Sequence, residues 1–435
     1  MKRSAKVILA AFMALMLALM AACGSNQQSG GNAGDNGGQT GGTSEPANNN
    51  EQKVEEVLLG AVVPLTGANA SWGQQTWNGF QLAAKIINEQ GGIQSLGGAK
   101  IKTIVGDTET QPTVAGTQTE KLIKQGVSAL IGTNQSAATL VATQVAERNE
   151  VPFVISADVA PLITERGFKY TFRTAALVGH NMRDVLTWAK ETGEKHGKPA
   201  TRVAFLSENS EVGLAANKAG VEIAKELGFE VVEDVAFDPN TQNFTEYLSK
   251  IQAKDAQIIV GYQNPSQAIL ITRAMQTLKY NPMVFAGVQG GTATKEYVET
   301  LGADANYVVA SSTWSSDLDI PGMKEIAQRF KEETGNEFDA TAAAGFTSMA
   351  VIWEGLEKAG SADPKKLRDA IASIELKTGE RNFMLLRGVK FNEKGDNDWA
   401  GGVVMMIKDG KWISIYPSEY TSVEYPWPKP EWGTP

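Results

Sequence analysis

Residues 60–67 read Gly60-Ala-Val-Val-Pro-Leu-Thr-Gly67, and residues 70–73 read Ala70-Ser-Trp-Gly73. Residues 79–92 read Gly79-Phe-Gln-Leu-Ala-Ala-Lys-Ile-Ile-Asn-Glu-Gln-Gly-Gly92. The apolar run 57–63 has the length of a buried strand. Pro64 and Gly67 break it and open a loop. Phe80, Ala83, Ala84 and Ile87 then fall at helical spacing, and Gly91-Gly92 supplies a stop. The loop between strand and helix carries Thr66, Ala70, Ser71 and Trp72. In an open parallel sheet such a loop lies at the carboxyl edge of the strands, where ligands bind. Alone, the stretch also suits any strand–loop–helix unit of an α/β protein.

The pattern continues outward. Strand-like runs at 102–105, 127–131 and 151–155 alternate with helical spacing at 112–125 and 137–148. The pattern pauses near Phe172-Arg173-Thr174 and restarts. Helices are predicted over 181–192, 215–227, 244–253 and 265–278, with strands at 202–206, 230–236, 257–260 and 283–286. Such alternation predicts βαβ units and parallel sheets, and two series of similar size predict two lobes of one α/β architecture. The last third adds a strand at 307–310, helices over 324–334, 342–359 and 364–374, and a polar turn at 392–398. A hairpin is expected from 403–407 and 412–415 about Lys408-Asp-Gly-Lys411. The tail Tyr425-Pro-Trp-Pro-Lys-Pro reads as a stiff polyproline-like segment.

A chain of 435 residues suits two lobes. Its net charge of −9 argues against nucleic acid as a partner, since that needs a basic face. The N-terminus differs from the rest. Lys2, Arg3 and Lys6 precede an uncharged apolar run at 7–20, then Ala21-Ala22 and Cys23, which together read as a secretory signal. Cys23 is the only cysteine, so no internal disulfide forms. Leu19-Met-Ala-Ala-Cys23 resembles a bacterial lipobox, which implies cleavage before Cys23 and its acylation. Residues 24 to about 55 are mostly Gly, Asn, Gln, Ser and Thr and form a tether with a reach of about 30 Å. The expected location is therefore the extracytoplasmic face of a cell membrane, held by a lipid anchor.

Bond-making chemistry finds little support. The only histidines are His180 and His196, too few for a zinc site at motif spacing. No Gly-x-Ser-x-Gly elbow occurs. Gly193-Glu-Lys-His-Gly-Lys198 is too short for a phosphate loop, with Pro199 in place of Ser or Thr, and reads as a surface loop. No metal, cofactor or enzymatic activity is expected. Polar loops at strand ends in two facing lobes suit a small polar ligand instead.

Pro64-Leu-Thr-Gly67, Ala70, Trp72-Gly73, Gly79, Leu82-Ala83, Ile87-Asn88 and Gly91-Gly92-Ile93 resemble the opening of the branched-chain amino acid binding proteins. These are the extracytoplasmic receptors of ABC importers, with a type I periplasmic-binding fold. The likeness runs on through Asp107, Pro112, Ala115, Gly132, Ser136, Pro152, Ile155-Ser156, Ala160-Pro161, Thr164, Gly167 and Phe172-Arg173, and covers the chain from about residue 57 to 415. It implies two Rossmann-like lobes joined by three crossovers near residues 175, 311 and 399, with the ligand cleft between them. Lobe 1 would comprise 56–175 and 312–398, and lobe 2 176–311 and 399–435.

The resemblance also implies roles. Trp72 would pack on the ligand side chain. The Ser136 hydroxyl and the Ala137 amide would meet its carboxylate. Asp158 and Val159 stand where the family has a small residue and Thr, Val212 where it often has Tyr, and Asn264 in an aromatic-rich loop. Gln289 stands where amino-acid binders carry a Glu that pairs with the ligand ammonium. Asp158 is therefore expected to supply that charge, or else to cap the short helix after it; Ser136 could likewise be a helix cap and Trp72 a core residue. The implied function is capture of a branched-chain or related amino acid by hinge closure, for delivery to ABC permease subunits, by a monomer. The alternatives are a receptor for a neutral amide, urea-like compound or sugar, using Gln289, Asn264 and Thr133, or a sensor signalling to a membrane partner.

Overall fold

The computed structural model describes residues 54–378 and 387–434. The signal-like segment, Cys23 and nearly all of the tether lie outside the described residues. The apolar run of the opening stretch is strand β1, Glu56–Val63, buried from both sides beyond its first residues. Full burial on both faces is why it reads as a continuous apolar run rather than an alternation. Each such Val or Leu contributes about 1.5–3 kcal/mol relative to exposure. Helix α1 (Ala70–Glu89) follows, then β2 (Lys100–Asp107), α2 (Pro112–Lys124), β3 (Ala129–Gly132), α3 (Ser136–Arg148), β4 (Phe153–Ile155) and β5 (Thr171–Arg173). These strands form one parallel sheet in the order β2-β1-β3-β4-β5. The pause near residue 172 is β5, three residues long and too short to show a period.

Helix α4 (Val178–Lys195) opens the second series. It continues with β6 (Arg202–Glu208), α5 (Glu211–Leu227), β7 (Glu230–Phe237), α6 (Thr245–Ala253), β8 (Ile258–Gly261), α7 (Pro265–Thr277), β9 (Val284–Val288), α8 (Lys295–Leu301) and β10 (Val309–Ser312). Then come α9 (Met323–Thr334), α10 (Ala340–Ala359), α11 (Pro364–Ala372), the small pair β11 (Glu375–Leu376) and β12 (Val389–Lys390), and the hairpin β13 (Val403–Lys408) and β14 (Lys411–Tyr416). The second sheet runs β14-β13-β10-β9-β8-β6-β7, parallel except for β13 and β14. The expected hairpin thus extends the second sheet. Asp409 and Gly410 turn it with φ of 50° and 73°, the two positive values a two-residue type I′ turn needs.

From the β2 and β7 edges inward, the two sheets share one winding, β2-β1-β3-β4-β5 and β7-β6-β8-β9-β10. In each, the chain reverses direction once, between β1 and β3 and between β6 and β8. The carboxyl ends of the strands at such a switch point form a crevice.

Helices α9 to α11 return to the first sheet. Helix α10 lies close on α1, because Gly79 and Gly345 carry no side chain: a Cβ at Gly79 would lie 2.0 Å from the Ala342 carbonyl oxygen, and one at Gly345 2.1 Å from that of Thr76. The second crossover is packed against both lobes. Trp314, Leu318 and Ile320 share one apolar cluster with Phe338 and Phe346 on one side and Val403 and Met405 on the other. Asp317 Oδ2 accepts the Ser414 N–H at 2.7 Å, and the Asp319 N–H reaches the Tyr420 carbonyl at 3.0 Å.

The tail packs on the second lobe, with Tyr425 and Trp427 in its apolar cluster. Tyr425 donates to the Tyr307 carbonyl at 2.8 Å and Trp427 Nε1 to that of Lys198 at 2.9 Å. Trp188 of α4 meets Tyr425 edge-on at 5.0 Å. The segment expected as a surface loop at 193–198 is the end of α4 and its exit, with Gly193 under the Trp427 ring.

Candidate ligand cleft

At the first switch point, the loop after β1 is held by Asp107, the last residue of β2. Its Oδ1 accepts the Leu65 and Thr66 amides at 2.8 and 3.2 Å, and Oδ2 accepts the Thr66 hydroxyl at 2.8 Å. Burial pushes the Asp107 carboxyl up, but these bonds and one from the Glu109 amide outweigh it and hold the group below its ordinary value. Gly73 lets α1 start directly over this loop, since a Cβ there would lie 1.8 Å from the Pro64 carbonyl oxygen. Its neighbour Trp72 is 56% exposed, so it is not a core residue. A ring of that size facing water at a strand's carboxyl edge is available to a ligand.

The loop after β3 leads into α3. Gln135 holds the cap position without a side-chain bond, so Ser136 is the first helical residue and not the cap. The Ser136 hydroxyl makes no hydrogen bond among the described residues. Thr139 N–H bonds the Gln135 carbonyl at 2.9 Å, which leaves the amides of Ser136, Ala137 and Ala138 as first-turn donors. Ala137 is exposed. Such a turn carries partial positive charge and suits a carboxylate. Asn134 Nδ2 donates to Thr76 Oγ1 at 2.9 Å, and Asn69 Nδ2 to the Asn134 carbonyl at 3.3 Å. These two bonds stitch the helix of Trp72 to the loop that starts the helix of Ser136.

Asp158, on the loop after β4, is 5% exposed and folds back on its own lobe. Its Oδ2 accepts the Thr133 amide at 3.0 Å, the Asn134 amide at 3.1 Å and the Thr139 hydroxyl at 2.6 Å. Burial pushes its carboxyl up, and these three donors and Arg173 pull the other way. Asp158 does not cap the 3-10 turn Pro161–Ile163, whose cap position is Ala160. Nor is that oxygen open to a ligand ammonium, because donors of the β3 loop already fill it. Val159 beside it is half-buried. This loop is fixed from below by Arg173, 0% exposed, whose Nη2 donates to the Ala160 carbonyl at 2.8 Å and whose Nε lies 3.4 Å from Asp396 in the third crossover. From sequence alone Arg173 had no such role; an Arg at the end of an otherwise apolar strand was the available signal.

At the second switch point, Val212 is half-buried in the first turn of α5. Gly213 permits that turn to press on β6, as a Cβ would lie 2.0 Å from the Glu208 carbonyl oxygen. Asn264 caps α7: its Oδ1 accepts the Gln267 amide at 3.0 Å and the Ser266 hydroxyl at 2.8 Å. Its Nδ2 points to Glu208 Oε2 at 3.4 Å. Gln289, after β9, has φ of 49°, and its Nε2 donates to the Ala176 carbonyl in the first crossover at 3.3 Å. Thr133, weighed for a neutral ligand, is 0% exposed.

The topology therefore aligns Trp72, Ser136, Ala137, Asp158 and Val159 on adjacent strand ends of one sheet, and Val212, Asn264 and Gln289 on adjacent strand ends of the other. Both edges meet at the crossovers. A cavity of about 90 Å³ there is lined by Ser156 and Ala157 after β4, Ala175 after β5, Thr313 and Trp314 after β10, and the first turn of α10. None of the eight sequence-derived residues lines it, and its walls of Ala, Ser and Thr carry no chemical signature in sequence. Larger hollows lie elsewhere among the described residues. One of about 620 Å³ sits by Lys85, Asn88 and Glu89 at the far end of α1, and one of about 550 Å³ between α4 and the third crossover. Neither is at a strand's carboxyl edge within either switch point.

Known proteins share this fold. The Leu/Ile/Val-binding protein homolog 7 of Brucella suis biovar 1 (strain 1330) is 24% identical over 370 residues, covering 83% of this chain and 92% of its own length. The crystal structure of a putative branched-chain amino acid ABC transporter from Rhodospirillum rubrum superposes with a TM-score of 0.72 at 18% identity, covering 83% of this chain and all of that one. An ABC transporter substrate-binding protein from Desulfitobacterium hafniense in complex with Leu gives 0.65 at 19% identity, over 83% of this chain and all of that one. At these identities the structural likeness speaks for the fold. Residues 56–399 match the model of the periplasmic binding proteins, and the chain belongs to that family.

Proposed function

We propose that the protein is the extracytoplasmic substrate-binding component of an ABC importer and captures an amino acid with an aliphatic, branched side chain. The observation that carries this reading is the pair of matched switch points, one at the carboxyl edge of each sheet, in a chain of the periplasmic binding protein family. The ligand carboxylate would sit on the Ser136 hydroxyl and the Ser136–Ala137 amides. Its side chain would lie against Trp72 and over the cavity beside Trp314. The names of the Brucella and Desulfitobacterium relatives support the same class of ligand.

Ligand bridging both lobes would favour a closed form, because only that form makes both sets of contacts. Cys23 would carry lipid, and the segment after it would tether the body to the membrane beside the permease. The test is a thermal-shift and calorimetric screen of the purified protein against L-leucine, L-isoleucine, L-valine, L-phenylalanine, small amides and sugars. A ligand that binds only the folded state raises Tm. The aliphatic amino acids should raise it and the others should not; a response to sugars or amides alone would refute the reading.

A further inference from the structure

If the ligand is an amino acid, as proposed above, its ammonium needs a partner. Asp158, which the sequence offered for this, is 5% exposed and has its Oδ2 filled by three donors, and Gln289 is uncharged and bonded to Ala176. A carboxylate not named in the sequence reading stands at the other switch point. Glu208 is the last residue of β6 and is half-buried. Its carboxylate forms no ion pair among the described residues, and its one side-chain contact there is the long 3.4 Å approach of Asn264 Nδ2. Tyr262, on the neighbouring strand end after β8, lies close enough for the Glu208 charge to raise its phenol further, after burial has done most of that. A carboxylate and an aromatic ring are groups that hold an ammonium ion, and the Asn264 Nδ2 donor steadies the carboxylate.

We propose that Glu208, flanked by Tyr262 and Asn264, is the ammonium seat of this receptor and the residue that selects α-amino acids over the matching carboxylic acids. The placement fits the two-lobed geometry. The anion-binding helix start lies at the switch point of the first sheet, and the cation-binding carboxylate at that of the second. A zwitterion therefore spans the cleft with its two charges on opposite lobes, and closure is coupled to the presence of both. The alternative duty for Glu208, favouring the start of α5 through the helix dipole, makes no distinction between ligands.

The experiment compares L-leucine with 4-methylpentanoate, which lacks the ammonium group, by isothermal titration on the wild-type protein, Glu208→Gln and Glu208→Asp. The wild type should prefer leucine. Glu208→Gln should lose about ten- to a hundredfold in leucine affinity, the weight of one charge-assisted bond, and leave 4-methylpentanoate unchanged. Glu208→Asp should recover part of the preference, which controls for a folding defect in the Gln variant. Leucine binding by Glu208→Gln equal to wild type overturns the assignment, as does an equal loss for both ligands. Failure of the wild type to bind any amino acid instead refutes the functional reading itself, and this inference with it.

Discussion

Gln289 Nε2 donates to the Ala176 carbonyl at 3.3 Å, and so ties the strand-end loop of β9 to the first crossover between the lobes. The same residue's amide donates to Ser311 Oγ at 3.2 Å, beside the second crossover. Gln289 thus braces two of the three connections. A Glu at this position would aim a carboxylate at a carbonyl oxygen, which explains in physical terms why an amide suits this particular hinge.

From this follows a stability effect without a selectivity effect. Gln289→Ala should lower unfolding free energy by about 0.5–1.5 kcal/mol, the net worth of a neutral hydrogen bond, in urea titration. The ratio of leucine to 4-methylpentanoate affinity should stay at its wild-type value, since Gln289 is not the ammonium partner.

Asp158 should behave as a brace of the β3 loop. Asp158→Ala leaves the buried amides of Thr133 and Asn134 without their acceptor. The expected loss is about 1–3 kcal/mol or more, read as a lower urea midpoint. A variant as stable as wild type would show that the carboxylate is not needed to hold that loop.

Much of this could be read in the chain beforehand. The central strands announce themselves as apolar runs because both their faces are covered, and Gly73 and Gly79 mark places where backbone approaches backbone. The hairpin declared its turn through Asp409-Gly410. What stayed hidden depends on contacts far apart in sequence. Nothing local to Asp158 says that its oxygen is filled by residues 133, 134 and 139. Nothing local to Glu208 says that Asn264 and Tyr262 stand beside it. Nor does the proline-rich tail say that Tyr425 is buried against Trp188 and Tyr307.

Asp184 of α4 gives a pH signature. It is 2% exposed, lies 2.6 Å from Arg387 Nη2 and accepts the Gly402 amide at 2.6 Å. Burial pushes its carboxyl from 3.8 up to about 6, against the pull of Arg387 and Gly402. A carboxyl that binds its proton more tightly folded than unfolded adds stability in full below about pH 3.8, and that stability is lost as pH rises through about 6. Asp184→Asn cannot ionise. Its stability should therefore fall less between pH 4.5 and 7.5 than that of wild type, by up to about 2 kcal/mol. Parallel pH profiles for the two proteins would show that Asp184 carries no such linkage.

Trp72 should separate binding from folding. Being 56% exposed, it contributes little to the core, so Trp72→Ala should leave stability within about 0.5 kcal/mol of wild type. Leucine affinity should drop about tenfold or more, because the ring face against the ligand side chain is gone. Calorimetry on the variant decides it; unchanged affinity removes Trp72 from the site.

The lobes' closing around an amino acid is tested most directly by small-angle scattering on the purified protein, free and saturated with L-leucine. A smaller radius of gyration in the saturated sample is the predicted result. An identical scattering curve in a sample that calorimetry shows to be saturated would contradict it.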